Sequence, residues 1–155
     1  MPPIIEGHLD ATGFKIALIA SRWNEVVTAR LVAGALDGLV RHGADEKNID
    51  LVKVPGSFEL PQAASRLAAK GRYDAIVALG CLIRGETPHF DLLAAETAKG
   101  LAQVAVASGV PVIFGVLTCD TMDQAVDRAG GKSGNKGWDA ALAAIEMVSL
   151  YRRLA

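Results

Sequence analysis

A chain of 155 residues with a formal net charge of −1 has the size of one ordinary domain, and it carries no basic stripe of the kind that grips nucleic acid. Hydrophobic residues reach 51% while aromatics are only 5%, so the core must be aliphatic and alanine-rich, as where helices pack closely on a sheet. At this length folding buries roughly 70% of the surface of the unfolded chain, which holds a domain together without a disulfide or a metal.

The opening residues Met-Pro-Pro-Ile-Ile-Glu-Gly-His lack a basic region followed by an apolar run of signal length, and no apolar stretch approaches ~18 residues. The expectation is a soluble, cytoplasmic protein. Residues 4–10 read as an extra strand with no place in their own subunit's sheet, and an orphan strand is a candidate for pairing with a neighbour. Four short apolar runs follow, at 15–20, 49–54, 75–79 and 112–117, each succeeded by helical spacing. Such alternation implies a parallel sheet: an α/β three-layer sandwich, four strands in flavodoxin-like order, with helices on both faces. No boundary or internal repeat divides residues 1–155.

After the first run, Asn24 is placed to cap a helix with the apolar face Val27, Leu31, Ala35 and Leu39, ending at Gly43. After the second, Pro61 is tolerable only in a helix's first turn, so that helix begins near residues 58–60. The third run, 75–79, is wholly apolar and suits a strand covered on both faces. From it the sequence Gly-Cys-Leu-Ile-Arg-Gly-Glu-Thr-Pro-His-Phe, residues 80–90, reads as a glycine turn and a helix start, with Thr87 as cap and Pro88 at the first position. That helix runs to about Ser108. Beyond the fourth run come a short helix over 122–129, a glycine-rich turn over 130–134 and a final helix over 135–153. Cys81 and Cys119 each follow a buried strand, which suggests reduced, buried thiols in a reducing compartment; small apolar filler is the plainer account of both.

Each strand end offers chemistry at one edge of the sheet, where ligands of open α/β sheets bind. Trp23 and Asn24 follow the first strand; an indole there either stacks on a planar heterocycle or packs under its loop. Ser57, Phe58 and Glu59 bring amides, a ring and a carboxylate to a helix start, where Glu59 also complements the helix dipole. Gly85, Glu86 and Thr87 precede free helix amides that form a natural anion seat; Glu86 should therefore face solvent or a cation. His89, in the first turn, lies where the helix dipole favours a neutral ring able to take and return protons. His8 and His42 fall at a terminus and a helix end with no Cys or Asp spacing to join them, so no metal site is expected. Phe114 belongs to the fourth strand. Arg128 and Lys136 flank the glycine turn; Arg128 is either a forked phosphate grip or a cation near a helix end, and Lys136 faces either phosphate or an acidic neighbour such as Asp139.

In order along the chain, Ser-Arg-Trp-Asn at 21–24, Val-Pro-Gly-Ser-Phe-Glu-Leu-Pro at 54–61, the run at 80–91, Gly-Val-Leu-Thr at 115–118 and the segment 124–137 with its Asp-Arg-Ala-Gly and Gly-Asn-Lys-Gly ends resemble the lumazine synthase family over nearly the whole chain. Trp23 stands where phenylalanine is the common family choice. The resemblance implies condensation of 5-amino-6-(D-ribitylamino)uracil with 3,4-dihydroxy-2-butanone 4-phosphate to 6,7-dimethyl-8-ribityllumazine, the penultimate step of riboflavin biosynthesis, with phosphate and water leaving and no cofactor. It also implies roles: His89 as proton shuttle; Trp23, Asn24, Ser57, Phe58, Glu59, Cys81, Leu82 and Ile83 around the pyrimidine and ribityl chain, with Phe114 covering the ring; Glu86, Thr87, Arg128 and Lys136 on the butanone phosphate side. Cys81 receives no chemistry. Phe114 and Arg128 are expected from the adjacent subunit of a homopentamer. The short turn over 131–137 resembles that of members forming an icosahedral 60-subunit capsid, in which riboflavin synthase is a possible enclosed partner.

Two other readings stay open. A flavodoxin-like module could hold a flavin without turning it over, although the first loop, Ser-Arg-Trp-Asn-Glu, is not the Ser/Thr- and Gly-rich phosphate loop of flavodoxins. A shell-forming protein of the same fold could serve structure alone.

Overall fold

The computed structural model describes residues 1–155. Four strands, β1 (Ile16–Ser21), β2 (Ile49–Val54), β3 (Ala75–Ile83) and β4 (Val112–Cys119), form one parallel sheet in the order β2-β1-β3-β4. Five helices surround it: α1 (Glu25–Arg41), α2 (Leu60–Ala69), α3 (His89–Ser108), α4 (Met122–Asp127) and α5 (Lys136–Leu154). The three-layer α/β sandwich expected from strand–helix alternation is the architecture found.

Side chains of β1 and β3 alternate between two cores, as the period of a strand requires. Ile16, Leu18, Val77, Leu79 and Cys81 point to the side of α1 and α5, where they meet Leu31, Leu39, Ala141 and Ile145. Ala17, Ile19, Ile76, Ala78 and Leu82 point to the side of α2 and α3, against Leu60, Ala64 and Leu101. Burial on both faces is why β1 and β3 read as unbroken apolar runs. Alanines on α5 and β1 keep the layers close. Within the layer that α1 and α5 share the two helices are closer still, since a methyl group at Gly137 would run into the backbone carbonyl of Leu31.

The bounds of β2 are as expected, and Pro61 sits in the first turn of α2. Several details differ. Gly80 is not a turn; β3 continues through Ile83, paired in register with β4 as far as Ile83 opposite Cys119, and the turn is residues 84–88. Glycine is needed at 80 for close approach: a methyl group would lie 2.8 Å from Ser57 Oγ and 3.2 Å from Leu60 Cδ1 and Ser21 Oγ. Asn24 does not cap α1 with its side chain. Its backbone is left-handed, at φ 63, a conformation asparagine tolerates, and its amide donates instead to the carbonyl of Cys81 at 2.9 Å. Pro88 precedes α3 rather than opening it, and Thr87 Oγ1 accepts from the His89 N–H only at a long 3.4 Å. Helix α4 ends at Asp127, and the glycine-rich turn is an antiparallel hairpin of β5 (Ala129–Gly131) and β6 (Gly134–Asn135). Asn135 then caps α5, accepting from the Gly137 and Trp138 N–H groups.

Residues 4–10 form no strand in the isolated chain. They lie along α5, with the His8 N–H donating to Ser149 Oγ at 2.9 Å and Arg153 donating to the Glu6 carbonyl at 2.7 Å, while Ile4, Ile5 and Leu9 stay exposed. No helix is long and apolar enough to cross a membrane.

Candidate active site

The carboxyl ends of β1, β2 and β3 and the start of α3 enclose a cavity of about 810 Å³, within the roughly 300–1,000 Å³ of small-molecule sites. Ten of its sixteen lining residues are Trp23, Asn24, Ser57, Phe58, Glu59, Cys81, Leu82, Ile83, Thr87 and His89, all of them named from sequence. Segments far apart in the chain therefore converge as a single cleft requires.

Local structure explains each position. The Asn24 amide, by bonding to the Cys81 carbonyl, ties the loop after β1 to the end of β3 and carries Trp23 to the rim, 71% exposed. Phe58 is also exposed, so two aromatic rings stand at the mouth. Glu59 accepts from the Gly56 N–H at 2.9 Å, a bond that closes the turn before α2 and that the helix-dipole reading did not include, and it lines the cavity as well. The Ser57 carbonyl accepts from Thr97 Oγ1 of α3 at 3.3 Å, which fixes the turn before α2 against the helix that starts with His89. Behind Gly80, Ser21 Oγ is buried with no hydrogen-bond partner.

His89 is exposed at the first position of α3, and its ring makes no hydrogen bond within the chain. Glu86 is exposed and does not line the cavity, in keeping with its expected outward aim. Burial, aided by the nearby Cys119, pushes the Cys81 thiol from its ordinary 9.0 up to about 12, so it is a neutral thiol at physiological pH and no nucleophile. No cluster of His, Cys, Asp and Glu could hold a metal ion.

Phe114, Arg128 and Lys136 stand apart. They line a separate hollow of about 450 Å³ beside β4 and α4, together with Cys119, Asp120 and Gln124. Arg128 Nη1 donates to the Gln124 carbonyl at 3.3 Å and lies 3.7 Å from Cys119 Sγ. No carboxylate pairs with either cation, so Lys136 does not engage Asp139.

Sequence reasoning did not assign Phe90, Leu93 and Met122, which also line the cavity. Leu93 lies four residues after His89 and so shares its helical face, a signal present in the sequence. Met122 comes from the far side of β4 and becomes a neighbour only through the sheet order.

The family model for 6,7-dimethyl-8-ribityllumazine synthase matches residues 13–152. A 6,7-dimethyl-8-ribityllumazine synthase of Chloroherpeton thalassium is 56% identical over 150 residues, covering 97% of both chains. One of Desulfatibacillum aliphaticivorans is 53% identical over the same length and coverage.

Proposed function

The chain belongs to the 6,7-dimethyl-8-ribityllumazine synthase family, and from that premise we propose that it is the synthase, a transferase condensing 5-amino-6-(D-ribitylamino)uracil with 3,4-dihydroxy-2-butanone 4-phosphate in the penultimate step of riboflavin biosynthesis. The observation that carries the reading to this chain's own residues is the convergence of ten expected residues, His89 among them, on one cavity of suitable size.

In the proposed reaction the 5-amino group of the uracil attacks the ketone carbon, and loss of water gives an imine. Phosphate then leaves, and the ribitylamino nitrogen closes the second ring with loss of another water. Each step moves a proton, and His89 takes and returns it. Trp23 and Phe58 stack on the pyrimidine, and Asn24, Ser57, Glu59, Cys81, Leu82 and Ile83 hold its edge and the ribityl chain. The amides around Gly85 and Thr87 seat the phosphate. Much of the acceleration is orientation, since two reactants held in attack geometry no longer need to find each other.

The whole chain, 1–155, acts as one synthase domain, and the working unit is an oligomer. Phe114, Arg128 and Lys136 face away from the cavity of their own chain into the second hollow, as they would if each subunit completed its neighbour's site. Helix α3 buries only Thr97 and Leu101 and leaves Leu92 and Val106 exposed, which suits a further interface. The sheet edge at β2 exposes Leu51 and could accept residues 4–10 of a neighbour as a fifth strand. A pentamer, assembled into a 60-subunit shell in the cytoplasm that encloses riboflavin synthase, is the fuller form of this reading. Sedimentation that finds pentamers alone would remove the shell.

The deciding experiment mixes the purified protein with both substrates and follows lumazine absorbance and phosphate release together. Parallel appearance of the two well above background is expected. Background rates would overturn the synthase and leave a flavin-binding or purely structural protein.

A further inference from the structure

Between the end of β3 and the first turn of α3, residues 85–88 are exposed, and the His89 ring has no hydrogen-bond partner of its own. The position of the imidazole therefore depends on how the backbone on either side of the loop is held. One side chain holds both sides. Arg84 Nε donates to Asp120 Oδ1 at 2.9 Å, its Nη1 lies 3.2 Å from Asp91 Oδ1, and its guanidinium carbon sits 4.5 Å from the centre of the Phe90 ring. Its backbone N–H donates to the Cys119 carbonyl at 2.9 Å. Asp120 lines the second hollow, Phe90 lines the main cavity, and Asp91 stands in the first turn of α3 beside them.

We propose that Arg84 is a positioning residue for the synthase reaction: by clamping Asp120 beyond β4 to Phe90 and Asp91 at the start of α3, it fixes the loop amides and the His89 imidazole relative to the bound substrates. The inference rests on the synthase reading above. Arg84 is not itself a phosphate ligand, because two carboxylates and an aromatic face already occupy its guanidinium. Lysine cannot replace it, since an ammonium lacks the planar fork that serves two carboxylates while stacking on a ring. The clamp adds little to stability, because ion pairs as exposed as these are weak and screened by salt. Its effect should instead appear in rate, where displacing a reacting group by about 1 Å costs on the order of 100-fold.

The test measures kcat and the KM of each substrate for the wild type, Arg84→Gln, Arg84→Lys, Asp120→Asn and the double variant Arg84→Gln/Asp120→Asn, with Tm alongside. We expect kcat to fall roughly 10- to 100-fold in Arg84→Gln, with little rescue by lysine and Tm nearly unchanged. Asp120→Asn should lower kcat less, and the double variant should be no worse than Arg84→Gln, because the two residues act as one unit. Wild-type kcat in Arg84→Gln would overturn the clamp. So would additive losses in the double variant, a loss that merely tracks Tm, or a rise in butanone phosphate KM alone, which would make Arg84 a direct ligand. A wild-type protein inactive on both substrates would instead overturn the synthase reading itself.

Discussion

The cavity beyond the carboxyl ends of β1, β2 and β3 and the hollow that runs along the edge strand β4 are made of different materials. The cavity gathers aromatic and aliphatic side chains around His89 and carries no cationic side chain in its lining, whereas the smaller hollow holds Arg128 and Lys136 without a paired carboxylate. A surface that stacks a flat ring and moves protons benefits from being apolar; one that grips a phosphate needs charge that nothing else has neutralised. The two sets of tools are complementary, and one chain keeps them apart.

The sharpest way to break this comparison is to remove the imidazole proposed to carry protons. His89→Ala should lower kcat by about 10²- to 10⁴-fold, the range of general acid–base groups, while substrate affinity changes little. Unchanged turnover in stopped-flow and steady-state assays would assign the proton transfers elsewhere. Next in size is Arg128→Ala, expected to raise the KM of the butanone phosphate by roughly 10- to 100-fold, as for a lost hydrogen bond to a charged group, with the uracil KM nearly unchanged. Mixed oligomers sharpen the point. When His89→Ala and Arg128→Ala subunits are co-assembled, some sites should receive the intact cavity of one chain and the intact hollow of another, and at low butanone phosphate, where both parents are slow, the mixture should be faster than either parent. If the mixture is no faster, both surfaces serve sites of their own.

A smaller effect is expected at the strand that floors the cavity. Gly80→Ala places a methyl group against Ser57 Oγ and Leu60 Cδ1, and overpacking of this kind costs roughly 1–3 kcal/mol. A drop in denaturation midpoint with an unchanged m-value would register it. An alanine protein as stable as the wild type would mean that Ser57 can turn aside and that the glycine serves something other than close approach.

Gly80 also shows where the sequence misleads. Strands covered on both faces announce themselves as continuous apolar runs, and β1 and most of β3 were legible for that reason; β2, an edge strand with Asp50 and Lys53 among its apolar residues, was legible from its place in the strand–helix alternation. A glycine at the end of such a run looks like a turn, because its fit against Ser57 and Leu60 depends on residues some twenty positions earlier. Asn24 misled in the same manner: the residue type favours a helix cap, but its amide reaches Cys81 across the sheet. Most of the cavity was legible because each strand ends with its own chemistry. Met122, and the clamp of Arg84 on Asp120, depend on β4 lying next to β3; the expected flavodoxin-like order contains that adjacency, but no local pattern says which side chains it brings into contact.

The least expected change is at the rim. Trp23 is 71% exposed, so its indole contributes little to the core and serves mainly as a flat surface at the mouth of the cavity. Phenylalanine keeps a flat face of smaller area, and aromatic pairing beyond buried area is worth only about 0.5–1.5 kcal/mol in all. Trp23→Phe should therefore raise the uracil KM by a few-fold at most and leave kcat and Tm in place, whereas Trp23→Ala should raise it further. Fluorescence quenching on addition of the uracil alone offers a direct readout, since the other indole, Trp138, packs against His42 on the far side of the sheet. A large kcat defect in Trp23→Phe would show that the indole N–H, which phenylalanine lacks, bonds to the reacting groups, and would move Trp23 from the rim of the comparison to its chemical centre.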